Sequence, residues 1–402
     1  MSSNLRRLLP IYFIFLFWSV LRTVSVNGPV MPLYVQSLGI GVIGWSLMAT
    51  SNGLGMFLFE WIWGNMADRI NRRLLIIISL LAISVISPLY TLQFLIPYFL
   101  ILQFFMGAFG VMVGPTTRVY VLDESPQKSV GLFASLWWAI SMGGSILGPL
   151  IGTYLAQTYS FNCPFYASTA LALVLACLVT VTFPKVDVSR RKREFRGHSS
   201  ILHVRSAGLL FMSALFVFMT VSLMKSFLPL YAKQQVNMST FQVGVLLSAT
   251  YAAQLAAMPF LGWLSDRFGR RRVAGIGLVS SSVMFLFYFV ANTQPQLFLV
   301  SVMVSLMLAA DSLLLALIPK VTSNTIYGAA VGIYGSFEDL GFLIGPLIFG
   351  FVWSTFSPVL IFAVASLAQL VGAILVLAIK SEHGQNLLAK QQESHVPESG
   401  MD

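Results

Sequence analysis

The sequence predicts an all-α integral membrane protein of twelve transmembrane helices in two pseudo-symmetric six-helix bundles, with both termini cytoplasmic. Three observations predict it: an apolar, charge-poor composition, twelve stretches long enough to cross a bilayer, and a set of motifs that recurs in the same order in the second half. Hydrophobic residues make up 57% of the 402-residue chain and charged residues only 9%, with a mean hydropathy of +0.83. A soluble globular chain carries about 25% charged residues. This chain lacks the polar surface to cover itself in water, so its solvent is expected to be lipid.

About 20 apolar residues cross roughly 30 Å of hydrocarbon. In order, the stretches are Leu8–Pro29, Gly41–Gly64, Leu74–Phe94, Ile96–Arg118, Val130–Ala156, Phe165–Phe183, Ser206–Tyr231, Phe241–Trp263, Val273–Ala291, Gln296–Pro319, Gly328–Trp353 and Val359–Ile379. Lipid cannot satisfy open backbone groups, so each must be a helix; a β-barrel would read as short alternating segments. The first stretch follows Arg6 and Arg7 but has no small-residue cleavage site, so it reads as a span and not as a signal peptide.

The net charge of +10 follows topology. With the N-terminus inside, the 66–73, 119–129, 184–205, 264–272 and 320–327 loops are cytoplasmic. Of the 24 Lys and Arg, only Lys225 and Lys233 then point outward, and Arg22 falls within a span. That asymmetry is the positive-inside pattern, so the basic loops are assigned to topology and lipid headgroups, not to nucleic acid. The chain divides into an N-terminal bundle over 1–183, a basic cytoplasmic linker over 184–205 containing Arg190-Arg191-Lys192-Arg193, a C-terminal bundle over 206–380, and a polar tail over 381–402 that reads as disordered.

Cys163 and Cys177 stand 14 residues apart, roughly 21 Å along a helix at 1.5 Å per residue, which is beyond disulfide reach. The four histidines, His198, His203, His383 and His395, all fall in the linker or the tail. No metal, no cofactor and no enzyme chemistry is expected, since no nucleophile–base set is visible.

The halves match at an offset near 197 residues. Pro32-Leu33-Tyr34 corresponds to Pro229-Leu230-Tyr231. Gly64-Asn65-Met66-Ala67-Asp68-Arg69-Ile70-Asn71-Arg72-Arg73 corresponds to Gly262-Trp263-Leu264-Ser265-Asp266-Arg267-Phe268-Gly269-Arg270-Arg271. Gly144-Ser145-Ile146-Leu147-Gly148-Pro149 corresponds to Gly341-Phe342-Leu343-Ile344-Gly345-Pro346. Two parallel repeats of this kind suit rocking around a midplane site.

At these residues, over about 8 to 380, the chain resembles the Major Facilitator Superfamily. The Gly-x-x-x-Asp-Arg-x-x-Arg-Arg signature, intact at 64–73 and 262–271, carries most of that resemblance. The Gly-x-x-x-Gly-Pro signature resembles that of the drug/proton antiporter branch. The resemblance implies secondary transport by alternating access, with a proton gradient as energy source and a small-molecule substrate, in a multi-pass monomer of the cell membrane. It also implies roles. Asp68 with Arg69 and Arg73 would brace the eleventh span, and Asp266 with Arg267 and Arg271 the fifth, latching the halves. Gly144, Gly148 and Pro149, and likewise Gly341, Gly345 and Pro346, would bend their helices and close the outer half, with plain helix packing as the alternative.

Charges inside the membrane cost roughly 2.5–3.5 kcal/mol each at a helix centre, so each needs a partner or a cavity. Arg22 lies in the first span, Asp311 in the tenth, and Glu338 and Asp339 in the eleventh. Asp311 is the first candidate for the titrating carboxylate, because burial disfavours the charged form of a carboxyl group. Glu338 shares the stripe of Gly341 and Gly345, and its neighbour Asp339 points about 100° away; which of the two faces a cavity stays open. Glu60, one turn before Gly64, reads as part of an inner network, and Asp123 as an acid at the end of the fourth span. Lys225 reads as a snorkelling cation or an anion contact. Gln103, before Gly107, stands where family antiporters often carry an Arg, which weakens the case for proton antiport. Trp18, Trp137, Trp138, Tyr334 and Phe337 are candidates for stacking on substrate. The alternative function is an importer or facilitator of an anionic metabolite or sugar, with Arg22 and Lys225 as the anion contacts.

Overall fold

The computed structural model describes residues 3–67, 70–93, 95–124, 130–182, 205–322 and 327–379. Asp68 and Arg69, nearly all of the linker and the whole tail lie outside the described residues. Every regular element among the described residues is helical. Ten helices are long and apolar enough to cross a membrane, and two shorter apolar helices, Leu9–Val24 and Ile96–Gly110, sit at the first and fourth spans.

Four spans depart from the unbroken helices expected of them. The seventh is interrupted at Phe227, between Arg205–Ser226 and Leu228–Gln234. The first stops at Val24 and resumes over Val30–Ser37. Between them, the N–H of Asn27 bonds the carbonyl of Arg22 at 3.1 Å and Pro29 cannot continue the ladder. The fourth runs Ile96–Gly110, breaks, and continues over Val113–Glu124, carrying Asp123 in its last turn. The tenth is cut into Gln294–Leu308, a 3-10 turn over Ala309–Asp311, Ser312–Leu315 and Ile318–Val321. The fourth and tenth spans break at equivalent points of the repeat. Composition hides such breaks, because the residues on either side are equally apolar.

The packing repeats with the sequence. The first span packs on the fifth and sixth, the second on the fourth, and the third on the sixth and fourth. In the second half, the seventh packs on the eleventh and twelfth, the eighth on the tenth, and the ninth on the twelfth and tenth. The halves meet where the second span lies along the eleventh and the fifth along the eighth.

Glycine sets how closely these helices approach. A Cβ on Gly144 would fall 2.6 Å from the Leu16 carbonyl oxygen, and one on Gly152 1.9 Å from that of Val24. The equivalent surface of the eleventh span repeats this: a Cβ on Gly341 would fall 2.7 Å from the Leu215 carbonyl oxygen, and one on Gly345 2.3 Å from Ser222 Oγ. Small residues let backbones approach until dispersion and weak polar contacts hold them. Gly55 and Gly107 do the same between the second and fourth spans, against the carbonyls of Phe104 and Asn52.

Outside these contacts the surface is apolar. Val85, Ile101, Val181, Phe351 and Leu367 stand exposed, as a lipid-facing surface requires. A groove of about 300 Å³ between the first and sixth spans is lined by Leu9, Pro10, Phe13, Ile14, Leu178 and Thr182, apolar enough to take an acyl chain.

Candidate functional site

The second signature forms the turn between the eighth and ninth spans. Thr240–Phe268 ends at Gly269, whose φ of 92° favours a residue without a Cβ, and Arg270–Leu286 begins at once. Among the described residues, Asp266 makes its ion pair within its own turn. Its partner is Arg270, one turn on, at 3.8 Å, and it stays 74% exposed. Arg267 lies over the rings of Trp263 at 5.9 Å and Phe268 at 5.7 Å. A Cβ on Gly262 would meet nothing within 4 Å. Gly64 lies on Val42–Ala67, and the first signature is described only in part.

The last arginine of each signature lies at the end of another helix of its own half. Arg73 donates to the Thr180 carbonyl at the end of the sixth span, and Arg271 to the Ile379 carbonyl at the end of the twelfth. A helix C-terminus carries free carbonyls and partial negative charge, so a guanidinium is its natural cap. Arg271→Ala should remove about 1 kcal/mol of hydrogen bond. We expect a fall of a few degrees in thermal unfolding of the detergent-purified protein, with the inter-half contacts unchanged.

At the opposite end the halves are joined. Trp45 Nε1 donates to the Ser226 carbonyl at 3.0 Å, the Phe241 N–H donates to Gln157 Oε1 at 2.7 Å, and Ser248 Oγ donates to the Ile146 carbonyl at 2.7 Å. Gly244 and Gly350 let the helices touch there. A Cβ on Gly244 would fall 1.8 Å from Thr153 Oγ1, and one on Gly350 1.5 Å from Ser46 Oγ.

Between the two ends lies a cluster of charge drawn from both halves. Arg22, in the first span, lies within electrostatic range of Tyr251 and Asp339, with its Cζ 5.2 Å from the centre of the Trp18 ring. Lys225, in the seventh, lies within range of Asp311 and Glu338 as well as Arg22, with its Nζ 4.7 Å from the centre of the Phe342 ring. Asp311 sits in the break of the tenth span, where Gln254 Nε2 donates to its Oδ2 at 3.3 Å. A helix break at midspan frees backbone groups and is a common place for a transporter site.

The neighbouring acids of the eleventh span part company. Glu338 lies toward Lys225, while Asp339 is 4% exposed and meets Glu60 of the second span. Asp339 thus faces a packed interface, not an open cavity. Gln103 is 1% exposed, and its carbonyl accepts from Asn52 Nδ2 at 3.1 Å, so it lies at the junction of the second and fourth spans. Among the candidate aromatic residues, Trp18, Trp137 and Tyr334 are buried. Phe15 stacks on Trp18 and Trp137 at 5.2 and 4.4 Å, and Phe337 tilts against Phe211 at 5.9 Å. Trp138 is exposed.

Tyr251 and Gln254 were not singled out from the sequence. Their signal was a Tyr-x-x-Gln pair one turn apart in a span that carries no charge until Asp266. Among the described residues, no group of three or more His, Cys, Asp or Glu could hold a metal ion.

Two helical bundles of matched packing, clasped at one end and enclosing charges of both signs between them, have the build of a membrane transporter. The chain belongs to the Major Facilitator Superfamily, whose family model matches residues 13–235 and again 210–399. Among curated relatives, it is 29% identical to multidrug resistance protein MdtG of Enterobacter lignolyticus, over 87% of each chain. It is 27% identical to MdtG of Dickeya zeae, over 92% of this chain and 93% of that one. The fold is shared with a bacterial homologue of the human lysosomal transporter Spinster (TM-score 0.74, 15% identity, 95% and 96% of the two chains). It is shared also with the E. coli fucose:proton symporter (TM-score 0.65, 16% identity, 94% and 100%). The protein is a multi-pass membrane transporter, and its chemistry is that of moving a small molecule through lipid, not of making or breaking bonds.

Proposed function

We propose that this protein exports small amphipathic, drug-like molecules across the cell membrane in exchange for protons. The observation that carries the reading is the charge cluster between the halves, in which Asp311 occupies a helix break beside Gln254 and within range of Lys225. The similarity to proteins named for multidrug resistance supports the direction and the substrate class. The chain acts as a monomer of twelve spans, with both termini and both signatures on the cytoplasmic side, and with residues 1–183 and 206–380 as its two bundles.

In the conformation described, the end opposite the signatures is clasped. Among the described residues, Asp266 pairs with Arg270 of its own turn and a Cβ on Gly262 would meet nothing within 4 Å, which fits a site open toward the cytoplasm. Export then requires the clasp to open and the signatures to close. Asp68 and Asp266 act in that closed state, with the glycine stripes guiding the helices. A proton driven inward at 100 mV supplies about 2.3 kcal/mol per charge. The acids of the cluster couple that energy to the change of facing, because a proton and a substrate alter the same balance of charge.

The experiment is exchange in liposomes of purified protein, with lipophilic compounds and an imposed pH gradient. We expect uphill movement of at least one such compound, abolished by Asp311→Asn. Transport of every tested compound unchanged by the gradient would end the proposal. Arg22 and Lys225, both in the cluster, favour a second reading, an importer or facilitator of an anionic metabolite or sugar. Gradient-independent uptake of an anionic solute, lost on Arg22→Met, would establish that one instead.

A further inference from the structure

We infer that the break in the fourth span is the subsite for the apolar end of the substrate, a flat aromatic ring with a hydrogen-bond acceptor for Trp18 Nε1. The fourth and tenth spans break at equivalent points, but the two breaks carry opposite chemistry. Asp311, in the tenth, stands 197 residues after Gly114 in the fourth, and Met307 the same distance after Gly110. One break therefore sets a carboxylate beside the Gln254 amide, and the other sets bare backbone beside an indole. An amphipathic molecule has one polar end and one apolar end, and the two breaks divide in the same way.

Gly110 ends the helix Ile96–Gly110, and Gly114 lies in the first turn of Val113–Glu124. Gly110 is buried, yet a Cβ there would meet nothing within 4 Å. A Cβ on Gly114 would meet only Trp18, with Cη2 at 3.8 Å. Helix packing does not account for these two glycines. It does account for Gly107 on the same span, where a Cβ would run into the Asn52 carbonyl. Backbone without side chains lets a flat ligand group come close.

Trp18 supplies an independent observation. It is 3% exposed, and its Nε1 has no hydrogen-bond partner among the described residues. Trp137 Nε1, in the same aromatic stack, donates to Thr117 Oγ1 at 3.3 Å, as a buried indole usually does. Phe15 stacks on the Trp18 ring at 5.2 Å and the Arg22 guanidinium lies 5.2 Å from its centre, while the edge at Cη2 is turned to Gly114. An indole N–H only donates, so its missing partner is an acceptor. A buried donor left unpaired is costly, and a carbonyl or ring nitrogen on the ligand removes that cost.

This deepens the export reading and rests on it for the use of the subsite, but its test reads binding alone. The probes are fluorenone, a flat ring system with one carbonyl acceptor, and fluorene, the same rings without it. Both are radiolabelled and dialysed against the full chain in lipid nanodiscs, with empty nanodiscs as the blank. We expect the parent to bind fluorenone about tenfold more tightly than fluorene. Trp18→Phe, which keeps a ring and removes the donor, should bring that ratio to about one. Gly114→Leu should weaken both compounds by about tenfold or more, and Gly114→Ala should weaken both by less. Gly208→Leu is the control, since a Cβ there meets nothing within 4 Å and the residue lies on the seventh span.

Equal affinity for the two compounds in the parent, saturable binding of neither, or a preference that survives Trp18→Phe would overturn the subsite. So would parent-like binding in both Gly114 variants. If the preference follows Trp18 and liposome exchange fails, the subsite stands and the export reading falls. If exchange succeeds and no preference is found, export stands and the subsite falls.

Discussion

Gly244→Leu is expected to hold the clasped ends of the two halves apart and to cut transport by about ten- to hundredfold. The eighth span reaches the fifth at Gly244, where even a Cβ would overlap Thr153 Oγ1 at 1.8 Å and approach the Pro149 carbonyl oxygen at 2.8 Å. Thr153 cannot turn away freely, because its hydroxyl donates to that same carbonyl at 2.6 Å. Overpacking of this kind costs typically 1–3 kcal/mol, and each 1.4 kcal/mol is about tenfold in a population. Only the clasped conformation bears that cost, so the substitution shifts the balance between facings and leaves each bundle intact. Gly350→Leu, opposite Ser46, should do the same from the other side of the pseudo-symmetry axis. Gly208→Ala is the control, since a Cβ there meets nothing within 4 Å. Initial rates in liposomes and labelling of a cysteine at Tyr159 read the result. Wild-type rates in both leucine variants would show that closure does not pass through these contacts.

Lys225→Met is expected to destabilise the protein by about 2.5–3.5 kcal/mol, the cost of a charge near the middle of a membrane helix. The residue removed is the cation that lies within range of both Asp311 and Glu338. Adding Asp311→Asn should restore more than half of the loss, because one of the two uncompensated carboxylates is then gone. Transport should not return, since neither half of the pair remains. Such recovery on double substitution is the mark of coupled groups. The measurement is unfolding of the four proteins of the cycle in detergent, beside their exchange rates. Simple addition of the two single losses would mean that Lys225 and Asp311 act independently, and that Lys225 serves the membrane surface.

Much of this architecture is legible in the chain because lipid leaves so few options. A run such as Leu74–Phe94 has no folded alternative to a helix, and the duplicated signatures place equivalent turns without any knowledge of packing. The candidate charges are equally legible, since Arg22, Asp311, Glu338 and Asp339 stand out against apolar neighbours. Their partners are not. Nothing local shows that Arg73 and Arg271 cap the sixth and twelfth spans, because those carbonyls lie more than a hundred residues away. Nor does a hydropathy pattern reveal that Asp339 meets Glu60 while its neighbour Glu338 turns toward Lys225. That difference is one of helix rotation, and rotation is set by the glycine contacts of Gly341 and Gly345 with the seventh span.

Composition and repetition thus settle the solvent, the helical state and the duplication of this protein, because each follows from properties that neighbouring residues carry themselves. The grouping of charges, the breaks in the first, fourth, seventh and tenth spans and the clasped end depend on which helix faces lie together. Those faces meet only after distant segments have packed, when a hydrogen bond or an ion pair in low dielectric can choose between contacts that are equally apolar in sequence.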